Sequence, residues 1–282
     1  MHNYTLPDYL INKMVSETLI EDLNYTTDWT ANLIDETRSA TAIIKTNQDM
    51  IVCGIKFVEA AFKLTDSNSI IKWEITEGAE VRANTKLCTI NGKARSMLTA
   101  ERTALNFLQV LSATATITHK YVLAINGLNT QIMDTRKTIP GLRLAQKYAV
   151  TIGGGHNQRI GLFDGVLIKE NHIIAHGGIK EVLEHAFKIT PSHIPIQIEV
   201  ENLDELKQAV AHGAKLILLD NMSTAEITEC VNYCRNKSVV LEVSGNVNLD
   251  NVKDYASCGV DRISIGSLTK NVQAIDLSMR FI

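Results

Sequence analysis

The sequence predicts an α/β protein whose second half is a parallel sheet fed by crossover helices, and three observations predict it. Beyond residue 128, short apolar runs (QIMD 131–134, VLIK 166–169, IQIEV 196–200, KLILLD 215–220, VVLEV 239–243, RISIG 262–266) alternate with helical stretches such as 202–213 and 248–259, which end at Gly213 and Gly259. Strands separated by helices are parallel, in a barrel or a doubly wound sheet. Residues 98–125 run on without Gly or Pro as the longest helical candidate, the natural connector between two halves. The 282 residues, 45% hydrophobic and 21% charged, are globular in composition and enough for one or two domains.

The elements follow in order. After Pro7 and Asp8, the positions Leu10, Ile11, Met14, Val15, Leu19 and Leu23 recur at helical spacing, so the chain opens with an amphipathic helix. ATAIIK (40–45), SIIKWEIT (69–76) and KLCTING (86–92) read as strands flanking a helix near 55–64, with EGAEVRAN (77–84) as a turn. GGGHNQR (153–159) follows helical sequence and lacks the GxGxxG spacing of a dinucleotide site, so it reads as a loop whose glycines let the backbone approach a ligand.

Lys plus Arg number 28 against 31 Asp plus Glu, a net charge of -3 that argues against general affinity for nucleic acid or anionic membrane. MHNYTLPDYL lacks the basic patch and apolar run of a signal peptide, and no segment approaches 18 uninterrupted apolar residues, so a soluble cytoplasmic protein is expected. The five cysteines are odd in number and scattered, which fits buried thiols in a reducing compartment; Cys230 and Cys234 share a helical face with no further ligand nearby to complete a zinc site.

Almost every strand of the second half ends in charged or glycine-flanked polar residues. Asp134, Arg136 and Lys137 follow the first; Lys169 and Glu170 end the second; Glu199 lies within the end of the third; Asp220 ends the fourth; Glu242, Ser244 and Gly245 end the fifth; Gly266 and Ser267 end the sixth. In a (β/α) barrel these ends converge on the face that holds the active site. Exit from the core would explain any one of them, but not bases after the first two strands and acids at the next three. The cations Arg136, Lys137, Arg159 and Lys169 suit a substrate with several carboxylates or phosphates, arginine pairing bidentately and lysine as a point charge. Glu199 and Asp220 are the candidate Mg2+ ligands, since magnesium needs one or two carboxylates besides substrate phosphates. SGN (244–246) and IGS (265–267) could cradle a phosphate on backbone N–H groups.

DTRKTIPGLR (134–143), GGGHNQR (153–159), LIKENH (167–172), IEVEN (198–202), LLDNM (218–222) and LEVSGNV (241–247), with ERTALNFLQ (101–109) and CGVDRISIGSLT (258–269), resemble the motif series of the quinolinate phosphoribosyltransferases across nearly the whole chain. The resemblance implies an N-terminal α/β sandwich, 1–110 with the tail 271–282, and an open α/β barrel, 111–270, usually of seven strands, of which periodicity supplies six. It implies transfer from 5-phosphoribosyl 1-pyrophosphate to quinolinate with decarboxylation, in a homodimer or hexamer with shared active sites. Residue by residue, it assigns Arg136, Lys137, Arg159 and Lys169 to the quinolinate carboxylates, the lysines also near pyrophosphate. Glu199 and Asp220 fall to magnesium and the ribose hydroxyls, and Ser244, Gly245 and Gly266, beside Asn246 and Ser267, to the 5-phosphate. Arg102 falls to the partner subunit's contribution.

Two positions depart from the family. Gln158 stands where a histidine usually precedes the arginine and can donate a hydrogen bond but carry no charge, while Lys270 replaces a histidine and remains a phosphate ligand. The rival readings are a molybdenum-uptake-associated relative with another acceptor, disfavoured by ENH after Lys169, a Schiff-base lyase using Lys169, disfavoured by the ionic groups converging on it, and a non-catalytic phosphosugar sensor, disfavoured by the intact acid pair.

Overall fold

The structure, a computed structural model, describes residues 6–282. Helix α1 (Asp8–Leu23) buries Ile11, Val15 and Leu19, one residue per turn on a single stripe. There follow β1 (Ser39–Thr46), β2 (Met50–Ile51), α2 (Ile55–Thr65), β3 (Ile70–Trp73), β4 (Glu80–Val81) and β5 (Lys86–Lys93). β3 is shorter than the run 69–76, because the chain turns after Trp73 and closes Ala79 N–H onto Thr76 O. Helix α3 (Ala94–Ala124) starts four residues before the expected Leu98, since Ala94–Met97 contain no helix breaker. The remaining elements are β6 (Gln131–Met133), α4 (Arg143–Ile152), β7 (Val166–Ile168), α5 (Glu170–His176), α6 (Ile179–Ile189), β8 (Ile196–Val200), α7 (Leu203–Ala211), β9 (Leu216–Asp220), α8 (Thr224–Cys234), β10 (Val240–Ser244), α9 (Val252–Ser257), β11 (Arg262–Ser264), α10 (Ser267–Lys270) and β12 (Leu277–Phe281). Among the described residues, no helix is long and apolar enough to cross a membrane.

The chain forms two compact units. The first runs to Ile117 and takes in Leu144–Gly154 and Asn271–Ile282; the second comprises Thr118–Arg143 and Gly155–Lys270. Residues 144–154, which a cut at 110 leaves in the barrel, thus cluster with the first unit, although they follow β6 in the chain.

In the first unit the sheet order is β12-β1-β5-β3, every pair antiparallel. The tail joins it through Ala42 opposite Phe281 and Thr46 opposite Leu277. Along β1, Ala42, Ile44 and Thr46 are buried at alternate positions, as the period of a strand requires. The core continues through Phe57 of α2, which stacks on Phe107 of α3 at 4.8 Å, and through the fully buried Phe62. Burying a phenylalanine contributes about 2 to 3 kcal/mol relative to exposing it.

The second unit holds one parallel sheet in the order β6-β11-β10-β9-β8-β7. Its first strand lies beside its last, so the strands curl into a ring instead of reversing at a switch point, and the barrel is the realised alternative. On the other side of β6 a single parallel bridge joins Met133 to His156, with His156 N–H donating to Ile132 O at 2.8 Å and Asp134 N–H to His156 O at 3.0 Å. This one-residue bridge occupies the place of the seventh strand, and the ring is open between it and β7. Ile198, Val200, Ile217, Leu219, Leu241 and Val243 are buried along the central strands, as expected where helices cover a parallel sheet. α7 is capped by Asn202, which accepts from Glu205 N–H, and α8 by a reciprocal Ser223–Glu226 box.

Candidate active site

The parallel strands of the second unit all point their C-terminal ends to one side, and a cavity of about 150 Å³ opens there. Its walls are Thr135, Arg136, Lys137, Gln158, Arg159, Leu167, Lys169, Glu199, Leu218, Glu242, Ser244 and Ser264. Seven of the residues given a role in the sequence reading therefore meet in one place: Arg136, Lys137, Gln158, Arg159, Lys169, Glu199 and Ser244.

Each cation is placed by its local backbone. Arg136 and Lys137 follow β6 in a turn where Lys137 N–H donates to Thr135 Oγ1 at 3.1 Å, and Thr269 Oγ1 donates to Lys137 O at 2.8 Å. Arg159 is positioned by Gln158 Oε1, which accepts its N–H at 2.9 Å, and by Gly165 O, which accepts from Nη1 at the same distance. Burial and the nearby Arg136 hold the Arg159 guanidinium below its ordinary pKa. Arg136 Nε is buried with no protein partner, an unspent donor beside the cavity.

Lys169 sits at the N-cap of α5, its N–H donating to His172 Nδ1 at 3.0 Å, and its ammonium meets Glu199 Oε2 at 2.6 Å. Glu199 is only 8% exposed. Burial pushes its carboxyl above the ordinary range, Lys169 pulls it down, and Asp220 and Glu170 push it up again. That coupling brings the two acids of neighbouring strands into one electrostatic environment. Asp220, partly buried at the end of β9, accepts from Asn221 Nδ2 at 2.7 Å on Oδ2. With one oxygen of each acid engaged, the pair offers the hard oxygen donors that suit magnesium.

The other predicted phosphate residues lie just beyond the walls. Gly245 (φ 104) and Asn246 (φ 50) take left-handed backbone after β10, which only glycine adopts without strain and asparagine adopts more readily than most. A Cβ on Gly245 would run into Asn221 Oδ1 and lie 3.0 Å from Asn221 N, while one on Gly266 would lie 3.0 Å from Lys137 Cδ. Gly245 is therefore required by close approach and backbone angle, whereas at Gly266 the flexible Lys137 side chain would have to give by a few tenths of an ångström. Ser267 Oγ, at the start of α10, is buried without a partner, and Lys270 at its end is exposed. Arg102 is exposed on α3 in the first unit.

Glu242 ends a strand in the sequence reading but receives no role there. In the structure it is fully buried beneath the cavity, with Ser264 beside it. The available signal was a carboxylate inside the apolar run VLEVS, on a strand with no solvent-facing side.

The quinolinate phosphoribosyl transferase models match in order, the N-terminal domain over residues 24–112 and the C-terminal domain over 114–280. The nicotinate-nucleotide pyrophosphorylase [carboxylating] of Mycobacterium leprae is 40% identical over 211 residues, 74% of each chain. The quinolinate phosphoribosyltransferase [decarboxylating] 1 of Nicotiana glauca is 34% identical over 293 aligned residues, 97% of this chain and 83% of the relative. Among solved structures, the nicotinate-nucleotide pyrophosphorylase of Francisella tularensis superposes with a TM-score of 0.95 at 45% identity, covering 100% of this chain and 99% of that one. With both domain models matched in sequence order and the fold shared from end to end, the chain belongs to the quinolinate phosphoribosyl transferase family.

Proposed function

We propose that this chain is a carboxylating nicotinate-nucleotide pyrophosphorylase. It transfers the 5-phosphoribosyl group of 5-phosphoribosyl 1-pyrophosphate to quinolinate and releases pyrophosphate and carbon dioxide, leaving nicotinate mononucleotide for NAD synthesis. The observation that carries this reading is one cavity in which Arg136, Lys137, Arg159 and Lys169 gather with the buried Glu199. Such a set accepts a dicarboxylate and a pyrophosphate together. The Lys169–Glu199 ion pair favours this transfer over a Schiff-base lyase, which needs an uncharged lysine.

Departure of pyrophosphate leaves positive charge on the anomeric carbon, so catalysis rests on neutralising the leaving group and stabilising that carbon. Lys137 serves the first need; Glu199 and Asp220 serve the second. The pyridine nitrogen bonds to the same carbon and becomes cationic. The adjacent carboxylate then leaves as carbon dioxide, its bonding electrons held beside that nitrogen until a proton replaces it. Arg136 and Arg159 hold the carboxylates through the transfer. Glu199 and Asp220 would hold magnesium, which when bound supplies a hard Lewis acid for the phosphate oxygens. Ser244, Gly245, Asn246, Gly266, Ser267 and Lys270 surround the 5-phosphate in this reading.

The reading includes a homodimer in which Arg102 reaches the partner's site, and a cytoplasmic location in keeping with five thiols free of disulfides. Formation of nicotinate mononucleotide from quinolinate tests the activity: product is expected with magnesium and abolished by a chelator, and no product from either preparation would overturn it. Mixed dimers of Arg102→Ala and Lys169→Ala carry one site with both lesions and one with neither, so random reassortment should restore roughly a quarter of wild-type activity. No recovery in proven mixed dimers would remove Arg102 from the shared site.

A further inference from the structure

The cavity floor carries a charge that the transfer described above leaves without a role. Glu242 of β10 is fully buried, and it is held by the uncharged side chains of Gln158, Gln197 and Ser264. Oε1 accepts from Gln158 Nε2 at 3.0 Å and from the Ser264 hydroxyl, and Oε2 accepts from Gln197 Nε2 at 3.1 Å. Gln197 Oε1 takes a further bond from Gln158 Nε2 at 2.7 Å, and Gln158 Oε1 accepts the Arg159 N–H at 2.9 Å.

The chemistry sets a direction along this chain of amides. An ionised carboxylate can only accept, so both glutamines must turn their NH2 groups to Glu242 and their carbonyls away from it. The Gln197 carbonyl then meets Gln158, and the Gln158 carbonyl meets the backbone of Arg159. One buried charge thus orients two amides and ends on the residue that presents a guanidinium to the cavity. Gln158 has both amide hydrogens and its carbonyl engaged in this chain, which distinguishes it from a side chain held ready for a substrate carboxylate.

We propose that Glu242 is a positioning residue for the acceptor: through Gln197 and Gln158 it sets the turn that aims Arg159 at an acceptor carboxylate. The proposal rests on the reading of the cavity as the quinolinate site. It also gives a use to a buried carboxylate, which is costly to keep without a cationic partner.

The test exchanges donor and acceptor across one bond. In Glu242→Gln one of the two oxygens becomes an NH2 group that faces the NH2 of either Gln197 or Gln158, and turning Gln197 over only sets its NH2 against that of Gln158, so in each arrangement the mismatch reaches the residue beside Arg159. KM for quinolinate should rise about tenfold, the size of a lost hydrogen bond to a buried charge, while KM for 5-phosphoribosyl 1-pyrophosphate and kcat stay within about twofold. Adding Gln197→Glu restores the pairing with its polarity reversed and should return the quinolinate KM to near the wild-type value. Gln158→Met keeps the volume, loses the amide and should show the same selective rise. Melting curves identify any variant that fails to fold; if Glu242→Gln is lost this way, the other two variants decide. An unchanged quinolinate KM in Glu242→Gln or Gln158→Met, an equal rise in both KM values, or a double variant without recovery overturns the proposal. If the wild-type protein makes no nicotinate mononucleotide, the functional reading falls and takes the proposal with it; an active wild type with unselective variants sinks the proposal alone.

Discussion

The first unit's antiparallel sheet buries the hydroxyl of Thr46, and its ion pairs Lys56–Asp8 and Arg82–Asp49 lie exposed at both ends. In the second unit a parallel sheet encloses Asp134, Glu199 and Glu242, the buried carboxylates of the described residues, each bound by specific donors. Exposed pairs of the first kind contribute little, whereas an enclosed carboxylate costs several kcal/mol unless its donors are well placed. The contrast separates scaffold from site: among the described residues, buried carboxylates are kept only in the second unit. Lys147 is the charged side chain that the first unit encloses.

The sharpest way to break that division is to remove a charge from the second unit. Glu199→Gln should lower turnover by about a hundredfold or more, with a smaller change in quinolinate binding. Because burial raises the Glu199 carboxyl, its ionised form is lost on acidification at a higher pH than for an ordinary glutamate. Turnover of the wild type should therefore begin to fall above the usual glutamate range and recover as the pH rises; a pH profile of kcat flat through that range would undo the assignment. The first unit should respond through stability instead. Phe62→Ala is expected to cost about 3 to 5 kcal/mol in denaturant unfolding, since Phe62 is fully buried, with both KM values of the folded fraction unchanged. A changed KM would mean that the scaffold reaches the chemistry.

Gly245→Ala sharpens the comparison inside the second unit. The added methyl group meets Asn221 at a backbone angle of φ 104, so KM for 5-phosphoribosyl 1-pyrophosphate should rise about tenfold while that for quinolinate holds. An equal rise in both would show that the loops after β9 and β10 serve the acceptor as well. The smallest effect belongs to Lys56→Met, which removes an exposed pair and should move the melting midpoint by no more than about 2 °C. A larger shift would mean that surface charge of the first unit contributes to its stability after all.

What could be read from one dimension was what depends on neighbours along the chain. Alternation along β1, the four-residue spacing of the buried stripe of α1 and the unbroken run of α3 are local patterns, so these elements appear in the sequence in their proper order. The cations and acids at the strand ends are legible for the same reason, because a strand announces where it stops. The motif resemblance added the sandwich and the place of the tail. Periodicity left a barrel and a doubly wound sheet open; the resemblance implied the barrel, and the structure bore it out by pairing β6 with β11. The structure alone reduced the seventh strand to the Met133–His156 bridge and joined Gln158 to Glu242, 84 residues further on. Periodicity records whether a side chain is buried, not what it is buried against; the partner is chosen by packing and hydrogen bonding between segments far apart in sequence.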